Sequence, residues 1–112
     1  MRIGNKIIKG KLGSWLVEVT WDDGRKAMLP CVHHRFFNDA TKRYAYDAAD
    51  MLKFPGKLKA WEEAVVKHKA VVVTDDDWIG ETPKRTGYHG VFAITDLKLD
   101  GPNHSFTVTR WL

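Results

Sequence analysis

The strongest constraint lies in residues 14–33. From Ser14 to Trp21 the chain alternates, with Trp15, Val17, Val19 and Trp21 on one face and Leu16, Glu18 and Thr20 on the other. That period of two is the signature of a half-buried strand. Asp22-Asp23-Gly24 follows, and Gly24 supplies the positive φ that a tight reversal needs. A return strand from Arg25 to His33 puts Ala27, Leu29 and Cys31 on its inner face. Pro30 has no N–H to give to a ladder, so that strand is expected at a sheet edge or with a bulge. Residues 3–11 are strand-like, and a bulge at Gly10 would reconcile the adjacent Ile7 and Ile8.

Downstream the period changes. Asn38 or Asp39 is suited to cap a helix whose apolar stripe is Tyr44, Ala45, Ala48, Met51 and Leu52. Pro55-Gly56 is read as its stop, and a second helix from Lys57 to Lys69 buries Leu58, Trp61 and Val65. Residues 70–74 read as a buried strand, residues 75–90 as a long loop, and residues 90–99 and 104–112 as strands joined at Asp100-Gly101-Pro102-Asn103. The order is β-β-β-α-α-β-β-β. It predicts an α+β fold: an antiparallel sheet, or a small open barrel, with two helices packed on one side or end.

The 112 residues suit a single globular domain, 1–112. No apolar run is long enough to span a bilayer, so no membrane association is expected. The first residues lack the apolar stretch of a secretory signal, and Cys31 is the single cysteine, which together point to a soluble protein of the reducing cytoplasm. The net charge of +4 is carried by the first half, where residues 1–56 hold ten basic against six acidic side chains. Arg2, Lys6, Lys9 and Lys11 all precede the first acid, Glu18.

Four groups of residues bear on function. Cys31-Val32-His33-His34-Arg35 offers a thiol and imidazoles, and Cys31 and His33 should point the same way along a strand. No second cysteine or HxxxH spacing completes a ligand set, so no metal and no cofactor is expected. A cysteine nucleophile there would need a base from another segment, such as His89. Asp75-Asp76-Asp77 resembles a hard-cation site only if its carboxylates converge. The segment Pro83–Gly90 combines Lys84 and Arg85 for phosphate contacts with Tyr88 and His89 for stacking on a base. Trp78, Phe36 and Phe37 are either exposed platforms or lids over the ends of a core.

The leading expectation is a module binding nucleic acid, RNA or single-stranded DNA, through Lys6, Lys9, Lys11, Lys84, Arg85, Tyr88 and His89. Two other classes are carried beside it. One is a protein-interaction module pairing with a partner or with a second copy through edge strands. The other is a small Cys/His-based or metal-dependent hydrolase.

Overall fold

A computed structural model describes residues 1–11, 14–47, 49–80 and 82–112. A nine-stranded sheet dominates it, in the order β1-β2-β3-β4-β7-β8-β9-β6-β5. The strands are β1 (Arg2–Ile3), β2 (Lys6–Lys9), β3 (Leu16–Trp21), β4 (Lys26–His33), β5 (Phe37–Asn38), β6 (Arg43–Asp47), β7 (Ala70–Ile79), β8 (Thr82–Asp100) and β9 (Asn103–Trp111). The sheet curls into a half-barrel around one α-helix, α1 (Pro55–His68). Every pairing is antiparallel except β4 with β7, which run parallel with α1 in the connection between them.

The β3–β4 hairpin forms where the alternation places it. Gly24 takes φ 91° and its N–H donates to Trp21 O at 2.9 Å. Val17, Val19 and Leu29 are buried. β4 is not an edge, however. Pro30 sits where β4 finishes pairing with β3, opposite Leu16, and begins pairing with β7 at Cys31. The missing N–H falls at this changeover, so an interior strand tolerates it. Nor does Gly10 form a bulge in the β2–β3 ladder. A Cβ there would lie 2.4 Å from Val17 Cγ1, so glycine is required by close approach.

The expected first helix is absent, which corrects the two-helix reading. Residues 37–47 form the β5–β6 hairpin, and Ala49–Lys53 is a 3₁₀ turn. Asn38 Oδ1 accepts from the Ala40 and Thr41 N–H groups at 2.9 and 3.1 Å, as a helix cap would, but Lys42 at φ 61° then reverses the chain. Tyr44 enters the core by pairing with Phe106 of β9, their rings stacked at 4.7 Å. That contact decides for strand. Ala48, part of the helical stripe, lies outside the described residues.

The second helix forms as expected and buries Leu58, Trp61 and Val65. Pro55 begins this helix instead of stopping an earlier one, since proline at the first turn forfeits no hydrogen bond. Lys69, at φ 48°, ends it with its N–H on Val65 O at 3.0 Å.

Residues 75–90 are also not a loop. They form the distal half of the β7–β8 hairpin, turned at Gly80 with φ 61°; Glu81 lies outside the described residues. The acidic run faces a basic one, with Asp76 opposite Arg85 and Asp77 opposite Lys84. Opposite charges across an antiparallel pair favour the register. Bulges fall between Val73 and Thr74 and between Asp75 and Asp76, and they set where the side chains beyond them point.

Two packed clusters fill the half-barrel. Val32, Tyr44, Trp61, Val65, Val71, Val73, Ile94 and Phe106 make one, under α1. Ile8, Val17, Val19, Leu29, Ala70, Val72 and Val91 make the other. No helix among the described residues is long and apolar enough to cross a membrane.

Candidate functional site

Between α1, the 3₁₀ turn and the concave sheet lies a cavity of about 470 Å³. Its walls are aromatic, from Trp15, Tyr46, Phe54, Trp61 and Trp78. Cys31 and His33 of β4, Asp76 of β7, Arg85 of β8 and His104 of β9 supply its polar groups. The mix of an apolar wall with a few convergent polar groups is that of a small-molecule site.

Cys31 and His33 line the same cavity, as their i,i+2 spacing on a strand predicts. His33 Nδ1 meets Asp76 Oδ2 at 2.9 Å, and the same carboxylate oxygen accepts the Thr74 hydroxyl at 2.9 Å. The Asp76 side chain is only 3% exposed. The ring of His33 is wedged edge-on against Phe36, Tyr46 and Trp78. Nδ1–H donates to the carboxylate, so in the neutral ring Nε2 is the acceptor. The arrangement is a carboxylate-oriented imidazole, the element that general bases share.

Arg85 is the least satisfied group. Its Nη2 donates to Ser14 O at 2.9 Å, and its guanidinium lies 5.7 Å from the Tyr88 ring centroid. Nε and Nη1 are buried with no oxygen or nitrogen partner among the described residues, leaving the Cys31 sulfur beside the guanidinium as a weak acceptor. A desolvated cation is costly unless an anion meets it. His104, 2% exposed, stacks on Trp61 at 4.6 Å and has a buried, unpartnered Nε2. Burial lowers its pKa, which keeps the ring neutral. Burial likewise pushes the Cys31 thiol up to about 11, although the Arg85 guanidinium beside it favours the thiolate by its charge and by a hydrogen bond to the sulfur. The thiol is therefore protonated at neutral pH and is not an activated nucleophile. Tyr44 beneath the cavity is raised by burial as well.

The seven residues expected to contact nucleic acid do not form one surface. Lys6 is fully buried, its Nζ on Asn5 Oδ1 at 2.7 Å and 5.0 Å from the Trp111 ring centroid. Lys11 is exposed after β2. Arg85 and the exposed Lys84 line the aromatic cavity. Lys9, Arg85 and Tyr88 share a separate groove with Met1, Ile8, Gly10, Thr86 and Gly87. His89 stands apart, stacked on His34 with ring centroids 4.1 Å apart. The aspartate run does not converge: Asp75 lies by His34 and His89, Asp76 is bound to His33, and Asp77 is exposed. Among the described residues, no third ligand atom joins Cys31 and His33, and the one cluster with metal-ligand spacing is His34, Asp75 and His89.

His104, Trp61 and Tyr46 carry no sequence signal of a site, since each reads as an ordinary core or strand position. The chain matches no family model, no curated protein and no solved structure.

Proposed function

We propose that this protein binds a small, planar, largely apolar molecule bearing an acidic group, carboxylate or phosphate, inside the half-barrel cavity. The observation that carries the reading is Arg85, a lining residue of the aromatic cavity whose Nε and Nη1 are buried with no oxygen or nitrogen partner among the described residues. An anion there completes the guanidinium through charge-assisted hydrogen bonds. Trp15, Trp78 and Phe54 offer ring surface to the planar body, and His104 Nε2 is one further polar group of the lining without a partner among the described residues. The His33–Asp76 pair stands ready as a base if the bound molecule carries a labile proton. The single protonated Cys31 thiol suits a reducing cytoplasm.

Tryptophan fluorescence tests this directly, because Trp15, Trp61 and Trp78 line the cavity. Indole-3-acetate and naphthoate serve as carboxylate probes and guanosine monophosphate as the phosphate probe, with indole as the uncharged control. Saturable quenching by an acidic probe, weakened about 10-fold or more by Arg85→Gln, is the expected result. Equal affinity for indole, or no effect of Arg85→Gln, overturns it.

A second reading, a strand of nucleic acid lying along β2 and β8, is supported by the groove that joins Lys9, Arg85 and Tyr88. It requires affinity for oligonucleotides that falls steeply with salt and that Lys9→Ala reduces. The edge-pairing reading has less support. The edges of the sheet are β1 and β5, each two residues long, while β2 and the Pro30 strand are interior.

A further inference from the structure

We infer that His34, Asp75 and His89 form a binding site for a divalent transition-metal ion of the zinc class, separate from the aromatic cavity. The three residues come from different segments: His34 from the turn after β4, Asp75 from β7 and His89 from β8. Their ligand atoms all lie within 4.8 Å of one another. His34 Nδ1 is 3.6 Å and His89 Nδ1 3.9 Å from the same carboxylate oxygen, Asp75 Oδ1.

Those distances are informative. A hydrogen bond would close them to about 2.8–3.0 Å. Two ligands that share a tetrahedral zinc, each about 2.0–2.1 Å from it, stand about 3.3–3.4 Å apart. The observed gaps exceed the first spacing and lie about 0.2–0.6 Å beyond the second. The His34 and His89 rings lie stacked, 4.1 Å apart with planes 16° from parallel, so both must swing out of the stack for their in-plane lone pairs to meet at one ion; side chains that are 34 and 43% exposed have room to do so, as has Asp75 at 46%. Neither imidazole makes a competing hydrogen bond among the described residues. Asp39 Oδ1 stands 3.9 Å from His34 Nε2, on the far side of the ring from Asp75. That gap is too long for a hydrogen bond, but closing it would give the ring the carboxylate partner that commonly orients ligating histidines. Phe37 and Phe92 flank the two imidazoles at 6.3 and 6.0 Å.

Two imidazoles and one carboxylate select zinc, cobalt, nickel or copper over magnesium or calcium, which prefer all-oxygen sets. Three protein ligands leave a fourth position for water. Bound metal would tie the turn after β4 to β7 and β8 beside the bulge at Asp75–Asp76, whose second residue holds His33.

The experiment is calorimetric titration of the untagged protein with zinc chloride, with magnesium chloride as the comparison. One equivalent of zinc and no magnesium should bind. His89→Ala and Asp75→Asn should each weaken zinc about 10-fold or more, while His33→Ala, in the cavity, should not. Zinc at 100 times its dissociation constant should raise the melting temperature by about 10 °C. Cobalt(II) gives a readout that needs no variant: intense visible bands mark tetrahedral coordination by the protein, and the pale spectrum of the aquo ion overturns the proposal. Unchanged zinc affinity in His89→Ala overturns it too. Cavity-probe binding by His89→Ala separates the outcomes, since it should persist whether or not the metal site exists.

Discussion

Arg85→Met should make the empty protein more stable while removing its affinity for acidic ligands. In the folded chain the guanidinium holds two buried donors with no oxygen or nitrogen partner among the described residues, the Cys31 sulfur being only a weak acceptor. Each such donor costs about 1–3 kcal/mol, so removing both returns about 2–6 kcal/mol. Against this stand the Nη2 bond to Ser14 O, a charged hydrogen bond of about 1.5–3 kcal/mol, and the contact with the Tyr88 ring, about 0.5–1 kcal/mol. Methionine is unbranched and fills the same slot with apolar atoms. At mid-range values the variant gains about 1 kcal/mol, a rise of about 4 °C in melting temperature. Urea unfolding followed by tryptophan fluorescence reads this as a higher midpoint at unchanged slope. A loss of more than about 1 kcal/mol would mean that Arg85 is a structural tie satisfied within the fold, which removes the reason to place an anion beside it.

Other features give further expectations. Gly10→Ala should cost about 1–3 kcal/mol by thermal melt, because its Cβ would meet Val17 Cγ1 at 2.4 Å and Val17 is fully buried. The folded pKa of His104 lies below its unfolded value of 6.5, so the unfolded chain takes up the proton first as pH falls. Stability should therefore hold at neutral pH and drop below about 6.5, by at most about 1.4 kcal/mol per pH unit, and His104→Phe should flatten that slope. Cys31, pushed up to about 11, should react slowly with iodoacetamide at neutral pH and faster as pH approaches that value. Rapid alkylation of the folded protein at neutral pH would contradict its burial.

What could be read from the sequence was local. The β3–β4 hairpin was legible because Gly24 and the alternation of residues 15–21 lie within one short stretch. The same holds for α1, whose Leu58, Trp61 and Val65 recur at helical spacing. Residues 44–52 fit a helical stripe as well as a strand. What decides between them is the Tyr44–Phe106 stack, a contact between distant parts of the chain. The polar stretch after Thr74 reads as a loop because nothing in it alternates like a half-buried strand; it becomes strand only where β8 pairs with it, Arg85 opposite Asp76 and Lys84 opposite Asp77 in register. At the site, period two placed Cys31 and His33 together. The arrival of Asp76 depends on bulges in β7, and that of Arg85 and His104 on the pairing of β7 with β8 and of β8 with β9, none of which has a local signature. Lys6 shows the limit of reading charge from sequence: a lysine in a basic strand lies buried against Trp111.

The cavity's role as an anion receptor is tested most directly by the Arg85 Nε–H resonance in a proton–nitrogen correlation spectrum, recorded during titration with indole-3-acetate. The reading predicts that this resonance shifts strongly as the site fills and exchanges more slowly with water. Shifts should also spread to the Trp15, Trp61 and Trp78 indole N–H groups, which line the same cavity. An Arg85 Nε–H that stays fixed throughout, for indole-3-acetate and for guanosine monophosphate alike, would contradict it.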